Sequence, residues 1–134
     1  MLVERIRRAH NPPVHELSFA MALVEAACEK LATLGAVRVE ALHVRLGPLA
    51  GIVKEALSFS FDVAAAGTPI AGARLQYEDV PVTVACPRCG ERELPGMQSF
   101  RCPECGTPSP VVKGHERDLV ALEVRDHVDA AAHR

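Results

Sequence analysis

Apolar residues recur at helical spacing in two stretches of the chain. From Glu16 to Leu34 they fall at Leu17, Met21, Val24, Cys28 and Leu31, one face of an amphipathic helix, and Gly35 stands where a C-terminal cap belongs. A second helix is predicted from Val53 to Ala66, with Ile52, Ala56, Phe59 and Val63 in line and a stop at Gly67-Thr68-Pro69. Three other stretches alternate with a period of two and predict strands: Val37 to Leu46, Ala73 to Val80, and Asp118 to Arg125. In the first of these, Val39, Ala41, His43 and Arg45 share one face while Glu40, Leu42, Val44 and Leu46 share the other, so one side packs into a core. On this pattern His43 is a surface histidine facing solvent or a sheet edge, and Cys28 is a small buried hydrophobe.

The order helix, strand, helix, strand, cysteine-rich loop, strand predicts an α+β fold. The expected architecture is a small sheet of about three strands with two helices, plus an inserted subdomain built on two Cys-x-x-Cys pairs (Cys86, Cys89, Cys102 and Cys105), the four-cysteine pattern of a zinc ribbon. Residues 1–13 end in Asn11-Pro12-Pro13, which resists helix, and read as an N-terminal extension. Residues 14–81 with 116–126 form the α/β domain, residues 82–115 the zinc-binding subdomain, and residues 127–134 a fraying tail.

The inserted segment carries the strongest chemical signal. Cys86-Pro87-Arg88-Cys89 and Cys102-Pro103-Glu104-Cys105 are two Cys-x-x-Cys knuckles with twelve residues between them, each followed by a glycine, Gly90 or Gly106. Two such turns can bring four thiolates around one ion in the tetrahedral geometry of structural Zn²⁺. A closed four-sulfur site leaves no position for water or substrate, so its expected contribution is to folding rather than to hydrolysis. Two other uses of paired cysteines fit this pattern less well. A thioredoxin-like redox site normally has one pair at a helix start, and a two-disulfide framework belongs with an export signal. The N-terminal Met1-Leu2-Val3-Glu4-Arg5-Ile6-Arg7-Arg8 is basic and lacks the apolar stretch of such a signal, which favours a reduced, metal-bound, cytoplasmic protein.

Composition narrows the classes further. With 134 residues, 49% hydrophobic and 24% charged, the chain suits one modest globular domain or a small core with a metal-clipped appendage. No apolar run approaches a membrane span. A net charge of −2, no Trp and a single Tyr argue against nucleic acid as a partner. Arg88, Arg92, Arg101 and Lys113 in the cysteine segment are interleaved with Glu91, Glu93 and Glu104, which leaves it near neutral. No nucleophile with a paired base and no phosphate-cradling glycine loop is evident, so an enzyme is not expected.

A further cluster stands before the first helix, at Val14-His15-Glu16-Leu17-Ser18. Taken alone, His15 reads as a capping or surface residue and Glu16 as a favourable first-turn charge. An ordered set of segments changes that reading. His15-Glu16-Leu17-Ser18, Val44-Arg45-Leu46-Gly47-Pro48-Leu49-Ala50-Gly51, Glu55-Ala56-Leu57-Ser58-Phe59-Ser60-Phe61-Asp62, Gly72-Ala73-Arg74-Leu75 and the two knuckles together resemble the HypA/HybF family of hydrogenase nickel-incorporation proteins, over about residues 14 to 125.

The resemblance implies a nickel metallochaperone that binds Ni²⁺ and delivers it during maturation of [NiFe] hydrogenase, with a separate structural zinc site. It implies Cys86, Cys89, Cys102 and Cys105 as zinc ligands, His15 as the nickel-binding imidazole and Glu16 as a secondary nickel residue. It implies the HypB GTPase and the hydrogenase large subunit as partners, urease maturation proteins as a second destination, and leaves a homodimer open. The competing reading is a zinc-ribbon module for protein interaction or nucleic-acid binding without a nickel role. In the family, Met-His-Glu opens the chain and supplies a free amine beside the histidine. Here thirteen residues come first, Val14 offers an amide, and Pro12 and Pro13 have no N–H to give. Two expectations follow: a true start at residue 14, which is favoured, or an altered and weaker nickel site.

Overall fold

The computed structural model describes residues 2–5, 15–35, 37–96 and 99–126. The elements are β1 (Leu2–Arg5), α1 (Glu16–Ala32), β2 (Val37–Leu46), a 3-10 turn (Pro48–Ala50), α2 (Lys54–Ala65), β3 (Arg74–Asp79), β4 (Thr83–Cys86), β5 (Gly90–Glu93), β6 (Val111–Lys113) and β7 (Arg117–Asp126). The expected tail, 127–134, lies outside the described residues. Among the described residues no helix is long and apolar enough to cross a membrane.

Two compact units result. The first contains the described residues up to Val44, Ile52–Tyr77 and the described residues from Asp118 to Asp126; the second contains Arg45–Gly51 and the described residues of Glu78–Arg117. The fold class is the α+β class read from the sequence, with two helices and a four-cysteine ribbon. One strand was not anticipated. The larger sheet has four strands in the order β1-β7-β2-β3, because Leu2–Arg5 pairs antiparallel with β7, Leu2 opposite Val124 and Arg5 opposite Ala121. A four-residue segment is too short for its alternation to stand out from an irregular arm, and its pairing comes from β7, far away in sequence.

The first unit buries Phe19, Leu23 and Val24 from α1, Leu57 and Phe61 from α2, and Leu42, Val44, Leu122 and Val124 from the strands. This corrects the helix faces. Leu17 and Met21 of the expected α1 stripe are exposed, and on α2 Phe59 is 71% exposed while Leu57, Phe61 and Ala65 form the buried row. Each helix carries apolar residues on two faces, and periodicity finds a stripe without choosing which one the sheet covers. Cys28 is half-buried rather than fully buried. Tyr77 ties β3 to α2: its hydroxyl lies 2.7 Å from Ser58 Oγ and donates to the Lys54 carbonyl at 3.2 Å.

His43 is also placed differently from the expectation. On interior strand β2 it is half-buried, its Nε2 3.3 Å from Glu123 Oε2, and the Arg74 guanidinium approaches the same oxygen at 3.4 Å. The carboxylate on β7 draws both groups over the sheet, so His43 belongs to a charged cluster.

The second unit has a much smaller interior, made of Val82, Val84 and Leu94 with Leu49 and Val111 packed against them. β4 is its central strand, flanked by β5 and β6.

The two aromatic positions of α2 separate the faces experimentally. Phe61→Ala is expected to cost about 3–5 kcal/mol of stability, and Phe59→Ala within about 0.5 kcal/mol of zero. Urea unfolding followed by far-ultraviolet circular dichroism measures both; equal losses would restore the face read from the sequence.

Candidate functional site

The knuckles are built by hairpin geometry. β4 ends at Cys86, the chain turns through Pro87–Cys89, and β5 begins at Gly90, pairing Cys86 with Gly90. Gly90 has φ +83° and Gly106 φ +76°, left-handed conformations that glycine adopts without a Cβ penalty. In the second knuckle the Gly106 N–H donates to the Cys102 carbonyl at 2.8 Å and the Cys102 N–H to the Thr107 carbonyl at 2.9 Å. These turns aim all four side chains inward. The Sγ atoms of Cys86, Cys89, Cys102 and Cys105 lie within 4.8 Å of one another, and all five cysteines of the chain are free.

Four sulfurs that close cannot all carry charge unaided. Crowding by Cys105 and Cys102 pushes the Cys89 thiol up to about 12, whereas the Thr107 hydroxyl, then its backbone N–H, draws Cys105 down to about 6. The cluster therefore suits a cation that neutralises the thiolates together, and its all-sulfur donor set fits a tetrahedral ion with no open position. The Arg88 N–H points at Cys86 Sγ from 3.4 Å, a donor that favours the ionised sulfur. The knuckles are also linked side by side: Arg92 Nε lies 3.3 Å from Glu104 Oε1, and its Nη2 donates to Oε2 at 3.4 Å.

The Gly47-Pro48 break predicted after β2 has a specific role in the same unit. The Gly47 N–H donates to the Glu116 carbonyl and the Leu49 N–H to the Gly114 carbonyl, both at 2.8 Å. A Cβ on Gly47 would stand 2.1 Å from the Gly114 carbonyl oxygen, so no larger residue fits without separating the two segments. These bonds explain why Arg45–Gly51 groups with the cysteine unit, outside the 82–115 range read from the sequence.

His15 and Glu16 belong to the first unit. His15 is the exposed N-cap of α1, with extended backbone (φ −93°, ψ 168°), and its side chain makes no capping bond. Its carbonyl accepts the first helical bond, from the Phe19 N–H at 2.9 Å. Glu16 is engaged: its Oε2 accepts the Val53 N–H at 3.1 Å, at the N-cap of α2. That bond, then the Glu16 backbone N–H, holds the carboxyl below the usual glutamate range. Glu16 thus fastens the starts of the two helices and sets His15 beside them.

Two contributors were missed from the sequence. Thr107, two residues past the last knuckle cysteine, gave a recoverable signal, since a hydroxyl there can reach the sulfur. The Val53 contribution is a backbone N–H, which no side-chain pattern reveals.

Comparison with known proteins adds to this geometry. A family model described as "Hydrogenase/urease nickel incorporation, metallochaperone, hypA" matches residues 14–124. The chain belongs to the HypA family. A HypA hydrogenase maturation factor of Roseiflexus sp. (strain RS-1) is 48% identical over 120 residues, covering 88% of this chain and 98% of the relative. That of Chloroflexus aggregans is 49% identical over 112 residues, covering 82% of this chain and 98% of the relative. A solution structure of the Ni metallochaperone HypA from Helicobacter pylori shares the fold with TM-score 0.58 at 20% identity, covering 84% of this chain and 97% of that one. The HypA family serves nickel incorporation during hydrogenase maturation, and this member carries a four-cysteine group that could hold a metal ion.

The Gly47 contact yields a direct check. Gly47→Ala is expected to destabilise the cysteine-bearing unit by about 3 kcal/mol. Hydrogen exchange should quicken in residues 45–51 and 78–117 while protection of α1 and α2 persists; uniform protection throughout would show that the turn yields.

Proposed function

We propose that this HypA is a non-enzymatic nickel chaperone that takes up Ni²⁺ at His15 and delivers it during [NiFe] hydrogenase maturation. The observation that carries the reading is the family match, which begins at residue 14 and so sets His15 second in the matched segment. The geometry around His15 supports it. An exposed imidazole free of capping duty, on an extended backbone, can bind a metal together with neighbouring backbone nitrogens. Ni²⁺ accepts such nitrogen donors in square-planar or tetragonal geometry. A shallow site at a helix start also releases its ion readily, as a carrier requires. Glu16 has the secondary role: one carboxylate oxygen is taken by Val53, which positions the negative charge beside His15.

The four cysteines hold Zn²⁺ in this proposal, as a structural clip. An all-thiolate tetrahedral set suits zinc, which has no ligand-field preference to lose there. Delivery involves docking to the HypB GTPase and to the hydrogenase large subunit in the cytoplasm, with urease maturation proteins as a second destination, in keeping with the hydrogenase/urease wording of the family description. The metals of the two sites are distinct and so are their tasks: exchange at His15, folding at the cysteines.

Nickel titration of the zinc-loaded protein by calorimetry tests the assignment. His15→Ala should weaken nickel binding by roughly tenfold or more with zinc content unchanged, whereas Cys86→Ser should lose zinc. Nickel affinity and stoichiometry identical to wild type in His15→Ala would remove His15 from the site.

A further inference from the structure

The four knuckle sulfurs are unequal in their access to solvent. Cys86 and Cys102 are 4% and 2% exposed, Cys89 is half-buried, and Cys105 is exposed. Among the described residues, the neighbours of Cys105 in the second knuckle give it little cover. Pro103, Glu104 and Gly106 are all exposed, and the direction in which a Gly106 side chain would project is open space. The Cys105 sulfur is 3.1 Å from the Thr107 hydroxyl oxygen. The Arg101 guanidinium donates to the Gly106 carbonyl at 3.2 Å and braces the same turn. The one exposed cysteine of the four is the one a dissolved oxidant reaches first. A second sulfur is within reach, since Cys86 Sγ lies 3.6 Å from Cys105 Sγ.

We propose that Cys105 is an oxidative modification site, the point at which peroxide enters the ribbon, and that Cys86 resolves it. The Cys105 thiolate attacks one oxygen of hydrogen peroxide; an S–O bond forms, the O–O bond breaks and hydroxide leaves. The sulfur loses two electrons to the peroxide and becomes a sulfenic acid. The Cys86 thiolate then attacks the Cys105 sulfur, an S–S bond forms, the S–O bond breaks and a second hydroxide leaves. Two thiolates and one peroxide give one disulfide and two hydroxides. The step rests on the assignment of zinc to the four cysteines: with Cys86 and Cys105 joined, the ion keeps two thiolate ligands of four and is released. The ribbon thereby loses its clip under peroxide and regains it when a thiol reductant restores the pair.

The test uses the full chain carrying Cys28→Ser, which removes the one cysteine outside the ribbon. Zinc content is measured first, then substoichiometric hydrogen peroxide is added with a cyclic 1,3-dione to trap sulfenic acid, followed by peptide mass spectrometry. Cys105 is expected to carry at least roughly fivefold more adduct than any other knuckle cysteine. Without the dione, a chromogenic chelator should register one zinc released per Cys86–Cys105 disulfide. Preferential adduct on Cys89, adduct spread evenly, a disulfide within one knuckle, or zinc retained after Cys105 is oxidised would each overturn the proposal. A chain that holds no zinc before peroxide is added overturns the zinc assignment itself, together with this proposal, and is distinguished by that first measurement.

Discussion

Four sulfurs crowded into one cluster, an arrangement suited to a cation shared among them, set the main constraint on the cysteine-bearing unit of this protein. The turns that bring Cys86, Cys89, Cys102 and Cys105 within 4.8 Å create a cluster that resists full ionisation, as the upward displacement of Cys89 shows. The apolar interior available to offset that cost is small: Val82, Val84 and Leu94, with Leu49 and Val111 at its margin. A few aliphatic side chains do not match the conformational entropy of ordering a segment of this length. A structural metal contributes on the order of 10 kcal/mol in isolated sites, and binding then becomes folding free energy. The backbone bonds of Gly47 and Leu49 to the Gly114–Glu116 turn fasten a further segment to this unit.

The first unit depends on burial instead. Phe19, Leu23, Leu57, Phe61 and the aliphatic residues of β2 and β7 supply an ordinary core. Within it the Glu16 carboxylate receives the Val53 N–H and joins the starts of both helices without covering the His15 ring. The proposed nickel ligand thus stands where two helix starts are joined, while its side chain remains exposed. The charged cluster of His43, Arg74 and Glu123 lies elsewhere on the same sheet, where a carboxylate on β7 pairs with groups from both β2 and β3.

Some of this architecture was plain in the sequence and some was not, for identifiable reasons. The knuckles were legible because Cys-x-x-Cys spacing constrains geometry within a single turn, so local order is nearly sufficient. β2 was legible to the residue, since ten positions of alternation end at Gly47-Pro48. The helices were found, but the buried face of α2 was misread and that of α1 was right only in part, Val24 being buried as expected. Leu17, Met21, Phe59 and Val63 keep helical spacing as well as the buried rows do, and only the packed sheet decides between them. β1 escaped because a four-residue strand is specified by its partner rather than by itself. The Val53–Glu16 bond escaped because its donor is backbone, common to every residue but proline.

A carrier for one metal that keeps another permanently must prevent the two from exchanging places, and affinity order alone does not achieve this. Across a given donor set Ni²⁺ binds more weakly than Cu²⁺ and competes with Zn²⁺, so discrimination falls to geometry and donor type. In the proposed arrangement the all-thiolate cluster, closed by the two knuckle turns, suits an ion with no geometric preference and disfavours one that gains from square-planar nitrogen donors. His15, with nitrogen as its donor and no enclosing cage, presents the opposite choice. The division holds only while the sulfur cluster stays closed. That is why the exposed position of Cys105, rather than the buried Cys86 or Cys102, is where the separation of the two metals is most vulnerable.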